Sequence, residues 1–441
     1  MSNVPTVSDT HPNTRGFARG PIPEPPEAPS ARTTTARYTR AGRAAARRPW
    51  IALGLAIVTL FMASWIIIPG PNRTIVPLSV GAPEIAQWLV IMALVAIVGA
   101  IRTWRAHFVA RVTIVAGVVA LLLSLWPLVR FHSVASRAEA QLTSVLGLDY
   151  LDSVPLQRQL KLRSSPLIVA DLFRGLPKDS VKETGNVLFA TVAKVPLHAF
   201  VYEPLAAGKY PIIVQIYGGA WQRGAPDEFG EFGRYFAARG YVVFSIDYRH
   251  APEFHFPAPL ADIKTALTWI KRNGAKYNAD TSRIALLGRS AGAHLAVMTA
   301  YDSTLPPVKA VVGFYTPIDL VDSYRHPPSP DVLHLRDVLE KFIGKPLDEA
   351  VDTYDAASPI NLVNRPLPPT LLFNGDRDNI VEARYSAELN NKLRATGTKS
   401  IFVEIPWADH AFDEVPNGMS GQLSRYVTER FLAWALTRPN N

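Results

Sequence analysis

The chain has 441 residues, of which 48% are hydrophobic, so it is long enough for one large domain and additional segments. Its formal net charge is +9, but residues 1–49 carry +5, residues 50–111 carry +3, and everything after residue 111 carries only +1. The C-terminal part therefore lacks the basic surface of a nucleic-acid-binding protein, and no nucleic-acid partner is expected. The absence of cysteine excludes disulfides, thiolate metal sites and a cysteine nucleophile.

The N-terminal 129 residues contain a polar tail followed by three apolar stretches. Residues 1–49 are rich in proline, threonine, alanine and arginine, which predicts a disordered tail. Residues 50–68, 85–101 and 112–129 contain no charged side chain. Because about 19 helical residues span roughly 28 Å, close to the thickness of a bilayer core, the pattern predicts three transmembrane helices. A cleavable signal peptide fits poorly, since the first stretch begins near residue 50 and two more follow.

The arginines indicate how such helices would be oriented. They cluster before the first apolar stretch and between the second and third, whereas the first connection contains only Arg73. Basic flanks favour the cytoplasmic side, so the N-terminus is expected there. After three crossings, everything beyond Val129 would lie outside the plasma membrane. We therefore expect a multi-pass protein with the lipid bilayer as a partner, and its oligomeric state stays open.

Residues 130–185 are predicted to connect this region to an α/β domain, residues 186–441. The connector contains a helix-like stretch, Ser133–Gly147. In the domain, short apolar runs alternate with helix-like segments, which predicts a mostly parallel sheet with helices on both faces. The predicted strands are Val187–Val192, Leu197–Tyr202, Pro211–Tyr217, Tyr241–Ile246, Ile284–Leu287, Val308–Phe314, Thr370–Phe373 and Ile401–Ile405. The predicted helices are Phe229–Arg239, Leu260–Asn273, Glu382–Ala395 and Leu423–Leu436.

A long insertion, residues 324–364, separates the sixth predicted strand from the seventh. Within it, Asp331–Ile343 has helix-like spacing. Ordered insertions at the active edge of such a sheet commonly act as lids or pocket walls, and a packed surface excursion is the alternative.

The stretch Gly288-Arg-Ser290-Ala-Gly292 has the pattern of a nucleophile elbow. It follows the strand Ile284–Leu287 and precedes a helix-like segment. Only small residues fit two places on either side of the serine in such a tight strand-to-helix turn. The serine hydroxyl then projects above the sheet edge, beside the N–H groups of the helix N-terminus. Ser290 is therefore the candidate nucleophile.

The partners of Ser290 are expected to follow later strands, in the order acid and then histidine. His410 directly follows the last predicted strand and is the candidate base. Asp376 and Asp378 both follow the strand Thr370–Phe373. The spacing from Gly375 favours Asp378 as the acid, while Asp376 would cap the turn. Asp409 is expected to be structural, because its side chain should point away from that of its neighbour His410.

A glycine pair supplies the fourth part of the predicted site. Tyr217-Gly-Gly-Ala-Trp221 follows the apolar strand residues Ile212–Ile216, and small residues there let backbone N–H groups approach a substrate oxygen. Together with the N–H of Ala291, this loop could form an oxyanion hole. No residue cluster has metal-ligand spacing and no glycine-rich loop carries a phosphate-binding lysine, so neither a metal nor a cofactor is expected.

Three ordered blocks of sequence resemble the α/β-hydrolase superfamily. Within that superfamily they are similar to hormone-sensitive-lipase-like carboxylesterases and their arylformamidase and feruloyl-esterase-like relatives. The blocks are Tyr217–Trp221, Asp247–Glu253 and Gly288–Ala296, of which the first matches a His-Gly-Gly-x-Trp motif. Tyr217 replaces the motif's histidine, and Ala220 stands where lipase-like members have a third glycine. The resemblance implies that Ser290, Asp378 and His410 form a triad and that Gly218, Gly219, Ala220 and Ala291 line the oxyanion hole.

The function implied by the resemblance is a membrane-anchored serine hydrolase that cleaves carboxylic esters through an acyl-enzyme. Its expected partner is a small-molecule or lipid ester, whose acyl length and alcohol stay open. An alternative uses the same triad as an acyltransferase or amidase acting on an envelope lipid or glycan. A catalytically inactive membrane scaffold is a third reading. Acyl-acceptor competition separates the first two, and labelling of Ser290 by a fluorophosphonate excludes the third.

Overall fold

The computed structural model describes residues 31–104, 107–177 and 179–437. The chain divides into two units, residues 1–48 and 49–441. In the first unit, the described part is the beginning of helix α1 (Ala31–Ser64). Residues 31–49 of the predicted disordered tail lie in this helix, and residues 1–30 lie outside the described residues. Alanine and arginine are frequent in residues 31–49, and both are good helix formers.

Each predicted span contains helix; the helices at the first and third spans differ in extent from the prediction, and the helix at the second matches it to within one residue. After α1 come α2 (Val76–Glu84), α3 (Ala86–Arg102) and α4 (His107–Leu146). Among the described residues, only α4 is by itself long and apolar enough to cross a membrane; α2 and α3 qualify only as a pair, bent by 80°. The prediction of three separate spans is therefore not supported. The apolar helix that ends α1 is short, and α3 has 17 residues where a span needs about 20.

Helix α4 also runs beyond the third predicted span, into the first part of the predicted connector as far as Leu146. No glycine or proline follows Pro127 in this helix, so nothing in the backbone ends it before Gly147. Its C-terminal half packs on the later domain. The Tyr426 hydroxyl donates to Glu139 Oε1 at 2.7 Å, and Lys399 Nζ donates to the Val145 carbonyl at 2.6 Å. The start of the connector is therefore a rigid extension of a membrane-type helix.

An eight-stranded sheet forms the centre of the C-terminal part. The strands are β1 (Lys182–Val192), β2 (Val195–Glu203), β3 (Tyr210–Ile216), β4 (Val242–Ile246), β5 (Ala279–Arg289), β6 (Ala310–Phe314), β7 (Thr370–Gly375) and β8 (Ser400–Ile405). Their order is β1-β2-β4-β3-β5-β6-β7-β8. The first two strands pair antiparallel with each other, β2 pairs antiparallel with β4, and all remaining pairs are parallel. The predicted mostly parallel sheet is confirmed.

Helices connect these strands and complete the second unit. They are α5 (Leu156–Gln159), α6 (Val169–Arg174), α7 (Gly230–Ala238), α8 (Ala258–Asn273), α9 (Ala291–Tyr301), α10 (Leu320–Arg325), α11 (Leu335–Ile343), α12 (Val351–Ala356), α13 (Ala383–Ala395) and α14 (Met419–Ala435). Of these, α11 and α12 lie in the insertion at residues 324–364.

The central strands are buried on both faces, as their continuous apolar sequences require. Parallel strands end at a common edge of the sheet. The residues that follow β3, β5, β7 and β8 therefore meet at that edge, although they are up to about 190 residues apart in the chain.

Candidate functional site

Ser290 occupies a sharp turn between β5 and α9. Its backbone has φ 52° and ψ −122°, a conformation that non-glycine residues rarely adopt. The turn requires glycine on both sides. A Cβ on Gly288 would lie 2.2 Å from the Gly292 carbonyl oxygen, and one on Gly292 would lie 2.2 Å from the Tyr217 carbonyl oxygen. The structure thus has the geometry of the predicted nucleophile elbow.

His410 lies between Ser290 and Asp378. Its Nε2 is 3.2 Å from Ser290 Oγ, and its Nδ1 is 2.8 Å from Asp378 Oδ2. A carboxylate can only accept, so Nδ1 carries the proton and Nε2 is left to accept the serine proton. The three side chains that the sequence singled out therefore meet in the order that a proton relay needs.

The structure separates the two aspartates that follow β7. Asp378 is buried, and its Oδ1 accepts hydrogen bonds from the N–H groups of Ile380 at 2.9 Å and Val381 at 2.8 Å. This turn aims the other oxygen at His410. Asp376 has an exposed side chain, and its backbone N–H donates to the Ile405 carbonyl. Asp376 therefore lies in the turn after β7, as expected, and its contact there is made by the backbone.

The surroundings of His410 make its imidazole a stronger base. Burial by itself lowers the pKa of His410, but the Asp378 carboxylate and its hydrogen bond outweigh burial and raise the pKa above its ordinary value. The ring of Tyr315, directly after β6, packs on the imidazole with centroids 4.3 Å apart. The Tyr315 hydroxyl is anchored to Asp413 at 2.7 Å. Sequence reasoning missed this tyrosine, because its motif-free position gives no signal.

Asp409 ties the histidine loop to helix α2. Its Oδ1 accepts the backbone N–H of His410 at 2.7 Å, and its Oδ2 accepts the Ser79 hydroxyl at 2.6 Å. Burial, and then the nearby Asp378 charge, raise the pKa of Asp409 to about 6. The expectation that Asp409 points away from the triad agrees with this geometry. Its partner in α2, 330 residues earlier in the chain, had no signal in the sequence.

The loop after β3 lies against the elbow. A Cβ on Gly218 would lie 3.0 Å from the Arg289 carbonyl oxygen and 3.3 Å from Ser290 Cβ, so the loop backbone is as close to the serine as glycine allows. Gly219 and Ala220 both have positive φ. Their N–H groups donate no hydrogen bond within the described residues, and Ala291 is the first residue of α9. These are the free donors that an oxyanion hole needs.

Tyr217 holds this loop by means of its hydroxyl. The hydroxyl donates to Asp247 Oδ1 at 2.5 Å and lies 2.8 Å from His250 Nε2. Its ring stacks on Tyr248 with centroids 4.6 Å apart. The residue that replaces the motif's histidine therefore supplies its own brace, between the loop and the segment after β4.

Two residues beside Ser290 have structural roles. Arg289 is buried, and its Nε donates to Asp413 Oδ2 at 2.5 Å. Three phenylalanine rings surround its guanidinium. His294 accepts the Trp221 indole N–H at Nδ1 and contacts the Ala357 carbonyl through Nε2. Burial lowers the pKa of His294 to about 4.

The insertion packs on the glycine-pair loop. Phe342 of α11 stacks on Trp221 with centroids 4.2 Å apart, and its carbonyl accepts the N–H of Phe256 at 2.8 Å. Val338, Leu339 and Phe342 are buried. In this structure the insertion is thus a packed wall beside the site.

Part of this chain is similar in sequence to a described protein family and to known esterases. A family model described as BD-FAE matches residues 200–393. The esterase LipC of Mycobacterium tuberculosis is 33% identical over 233 residues, which cover 49% of this chain and 57% of LipC. The esterase LipQ of the same organism is 28% identical over 314 residues, covering 66% of this chain and 72% of LipQ. The alignment with LipC spans less than two thirds of that relative.

Among solved structures, a truncated carbohydrate esterase from gut microbiota is 25% identical, with a TM-score of 0.50. The similarity covers 58% of this chain and 98% of that one. Together with the sheet topology, these similarities support an α/β-hydrolase fold of the carboxylesterase type.

Proposed function

We propose that this protein is a membrane-anchored serine hydrolase that cleaves carboxylic esters, with Ser290, His410 and Asp378 as its catalytic triad. The observation that carries the proposal is the 3.2 Å separation of His410 Nε2 from Ser290 Oγ, together with the 2.8 Å contact of His410 Nδ1 with Asp378. A serine hydroxyl becomes nucleophilic when an oriented neutral imidazole can take its proton. The esterase relatives agree with this chemistry.

In the proposed mechanism, Ser290 Oγ attacks the ester carbonyl carbon while its proton moves to His410 Nε2. The imidazolium, stabilised by Asp378, returns that proton to the departing alcohol as the C–O bond breaks. Water then repeats the sequence on the acyl-enzyme. His410 takes a proton from the water, the acid is released, and the proton returns to Ser290. The net reaction is ester plus water giving acid plus alcohol, with no other reactant.

The negative charge on the carbonyl oxygen would be stabilised by the N–H groups of Gly219, Ala220 and Ala291. One such donor is typically worth about 10²–10³ in rate. Gly218 lets the loop backbone approach Ser290 closely, because a larger residue there would hold the loop away from the serine. The Tyr217–Asp247 hydrogen bond keeps the donors in place without substrate, which lowers the reorganisation needed during the reaction.

The apolar helices support the membrane part of the proposal. Most large apolar side chains that are exposed in the described residues lie between Trp50 and Val129, on α1, α3 and α4. In water this surface would be unfavourable, at roughly 25 cal/mol for each Å². Contact with lipid tails removes that cost.

Contacts of the first connection, residues 65–75, and of α2 support the predicted sidedness. Asn379 donates to the Gly70 carbonyl at 3.0 Å, and the N–H of Ser420 donates to Glu84 at 2.9 Å. The first connection, α2 and the α/β domain therefore share one side of any membrane that α1 and α3 enter. This is the arrangement expected if the arginine-rich ends face the cytoplasm and the domain lies outside.

The test uses the full chain in detergent micelles with p-nitrophenyl butyrate as substrate. Wild-type protein is expected to hydrolyse it, and Ser290→Ala to lower kcat by about 10⁴ or more. Ser424→Ala, a buried serine on α14, is the matched control and should keep its activity. Hydrolysis at the wild-type rate by Ser290→Ala would contradict the proposal.

A further inference from the structure

A cavity of about 450 Å³ lies where three distant parts of the chain meet. One wall is the first connection at residues 72–74, the second is the insertion at residues 332–341, and the third is Gln222. The N–H of Gln222 donates to the Gly219 carbonyl at 3.0 Å, so this wall belongs to the same turn as the proposed oxyanion loop. The cavity thus adjoins the loop on which an ester carbonyl would bind.

The position of the cavity in the chain places it at a membrane surface. Residues 72–74 lie between the apolar helices α1 and α3, close to where α1 ends. Ile67 and Ile68, which lead into this stretch, are about half exposed. If α1 and α3 are embedded in a bilayer, the connection between them lies at its interface, and the cavity lies there too.

The cavity lining is mixed in a way that suits this interface. Leu333 offers apolar surface in front of the buried Val332 and Val338, and the other lining residues are polar or charged, with Arg73 and Lys341 carrying positive charge. Arg73 donates to the Leu333 carbonyl at 2.9 Å, which links the connection to the insertion along the cavity rim. Lys341 is paired with Asp337 at 3.0 Å. An amphiphile with an apolar chain and a polar ester group matches such a lining better than a fully soluble ester does.

We propose that this cavity is the substrate entrance and that it takes a long-chain ester directly from the bilayer. The inference rests on the proposed ester hydrolysis at Ser290 and names its substrate class: an acyl ester whose chain resides in the membrane. The ester group moves along the interface into the cavity and reaches the oxyanion loop at Gly219 without crossing water. The polar ester group enters the mostly polar cavity while the acyl chain stays in the bilayer, so no large apolar area has to be hydrated.

The experiment compares two substrates with one leaving group, using the full chain in phosphatidylcholine vesicles. 4-Methylumbelliferyl oleate resides in the bilayer, and 4-methylumbelliferyl acetate is dissolved in water. Thr74→Trp places an indole in the cavity from an exposed position, so the core is not disturbed. It is expected to lower the oleate-to-acetate ratio of kcat/KM by about tenfold or more. Thr191→Trp, the same change on exposed β1, should alter that ratio by less than about twofold.

A second measurement needs no variant. Oleate supplied in the same vesicles as the protein should be hydrolysed faster than oleate supplied in separate vesicles, because only the latter has to cross water. An unchanged ratio in Thr74→Trp while acetate is still hydrolysed would overturn the inference alone, whereas equal rates would overturn both the inference and the proposed membrane anchoring. Wild-type protein that hydrolyses neither substrate would overturn the proposed function instead.

Discussion

Ser79→Ala tests whether helix α2 is part of the catalytic apparatus. The Ser79 hydroxyl is a donor to the buried Asp409 carboxylate, whose other oxygen holds the backbone of His410. Without the hydroxyl, one carboxylate oxygen loses its protein donor in a site that water reaches poorly. Hydrogen bonds to buried charged groups contribute about 1.5–3 kcal/mol, so unfolding should become easier by that amount. At roughly 2–4 °C per kcal/mol, the melting temperature should fall by about 3–12 °C.

The same change should act on catalysis through pH. Burial and Asp378 raise the pKa of Asp409 to about 6, and the Ser79 hydrogen bond works against this rise. A folded pKa above the unfolded value means that the contribution of Asp409 to stability is complete below the unfolded pKa and is lost as the pH rises through the folded pKa. Without Ser79, the pKa of Asp409 in the folded protein rises further. Its contribution to stability is then lost at higher pH than in the wild type. Independently of that shift, the carboxylate that holds the backbone of His410 has lost its Ser79 donor, so the histidine loop loosens and kcat should fall by about tenfold with little change in KM.

The assay is thermal unfolding of the full chain in micelles, together with butyrate kinetics from pH 5 to pH 9. Asp409→Asn provides the matched background, because an amide oxygen still accepts the N–H of His410 without carrying charge. In the Asp409→Asn background, Ser79→Ala should lower the free energy of unfolding by at least about 1 kcal/mol less than it does in the wild type. This difference is the coupling energy that a double-mutant cycle measures. Wild-type melting temperature and wild-type kcat in Ser79→Ala would refute the assignment of α2 to the site.

Three further outcomes are expected. Asp378 raises the pKa of His410, and only the neutral imidazole accepts a proton. As the pH drops, kcat/KM for butyrate should therefore fall with a midpoint above about 6.5, the ordinary pKa of histidine. A midpoint below that value would contradict the ion pair. Tyr217→Phe removes the donor to Asp247 and should lower the free energy of unfolding, measured by thermal melting, by about 1–3 kcal/mol. In butyrate kinetics it should change kcat more than KM. Unchanged values would show that the loop needs no brace. A fragment of residues 150–441 lacks both α2 and α4, including the Ser79 and Glu139 contacts with the domain, and should give aggregated protein on gel filtration. A monodisperse fragment with full kcat would show that these helices are dispensable.

The fold and the meeting of the three proposed triad residues could be predicted because their signals are local. Each central strand is a short apolar run, and each reactive residue follows one directly. Parallel pairing then brings Ser290, Asp378 and His410 to one sheet edge without any knowledge of side-chain packing. The choice of Asp378 over Asp376 came from spacing to Gly375, which the turn at Ile380 and Val381 matches.

Other features could not be predicted, because they depend on contacts between distant segments. Ser79 meets Asp409 across 330 positions, and no pattern near either residue marks the partner. Arg289 looks like a surface charge until three aromatic rings and Asp413 enclose it. The extents of the first and third apolar helices were misjudged for a different reason: hydropathy reports composition, whereas the end of α1 at Ser64 precedes contacts of Gly70 and Arg73 with the α/β domain, and α4 continues along that domain.

The most direct test of the proposed chemistry is covalent labelling of the full chain by a fluorophosphonate, read by mass spectrometry of the labelled peptide. An activated serine displaces fluoride, and the probe should be found on Ser290. Labelling should disappear in Ser290→Ala and slow by at least about 10³-fold in His410→Ala, because the hydroxyl then has no base. Labelling of another residue, or an unchanged rate in His410→Ala, would contradict the account.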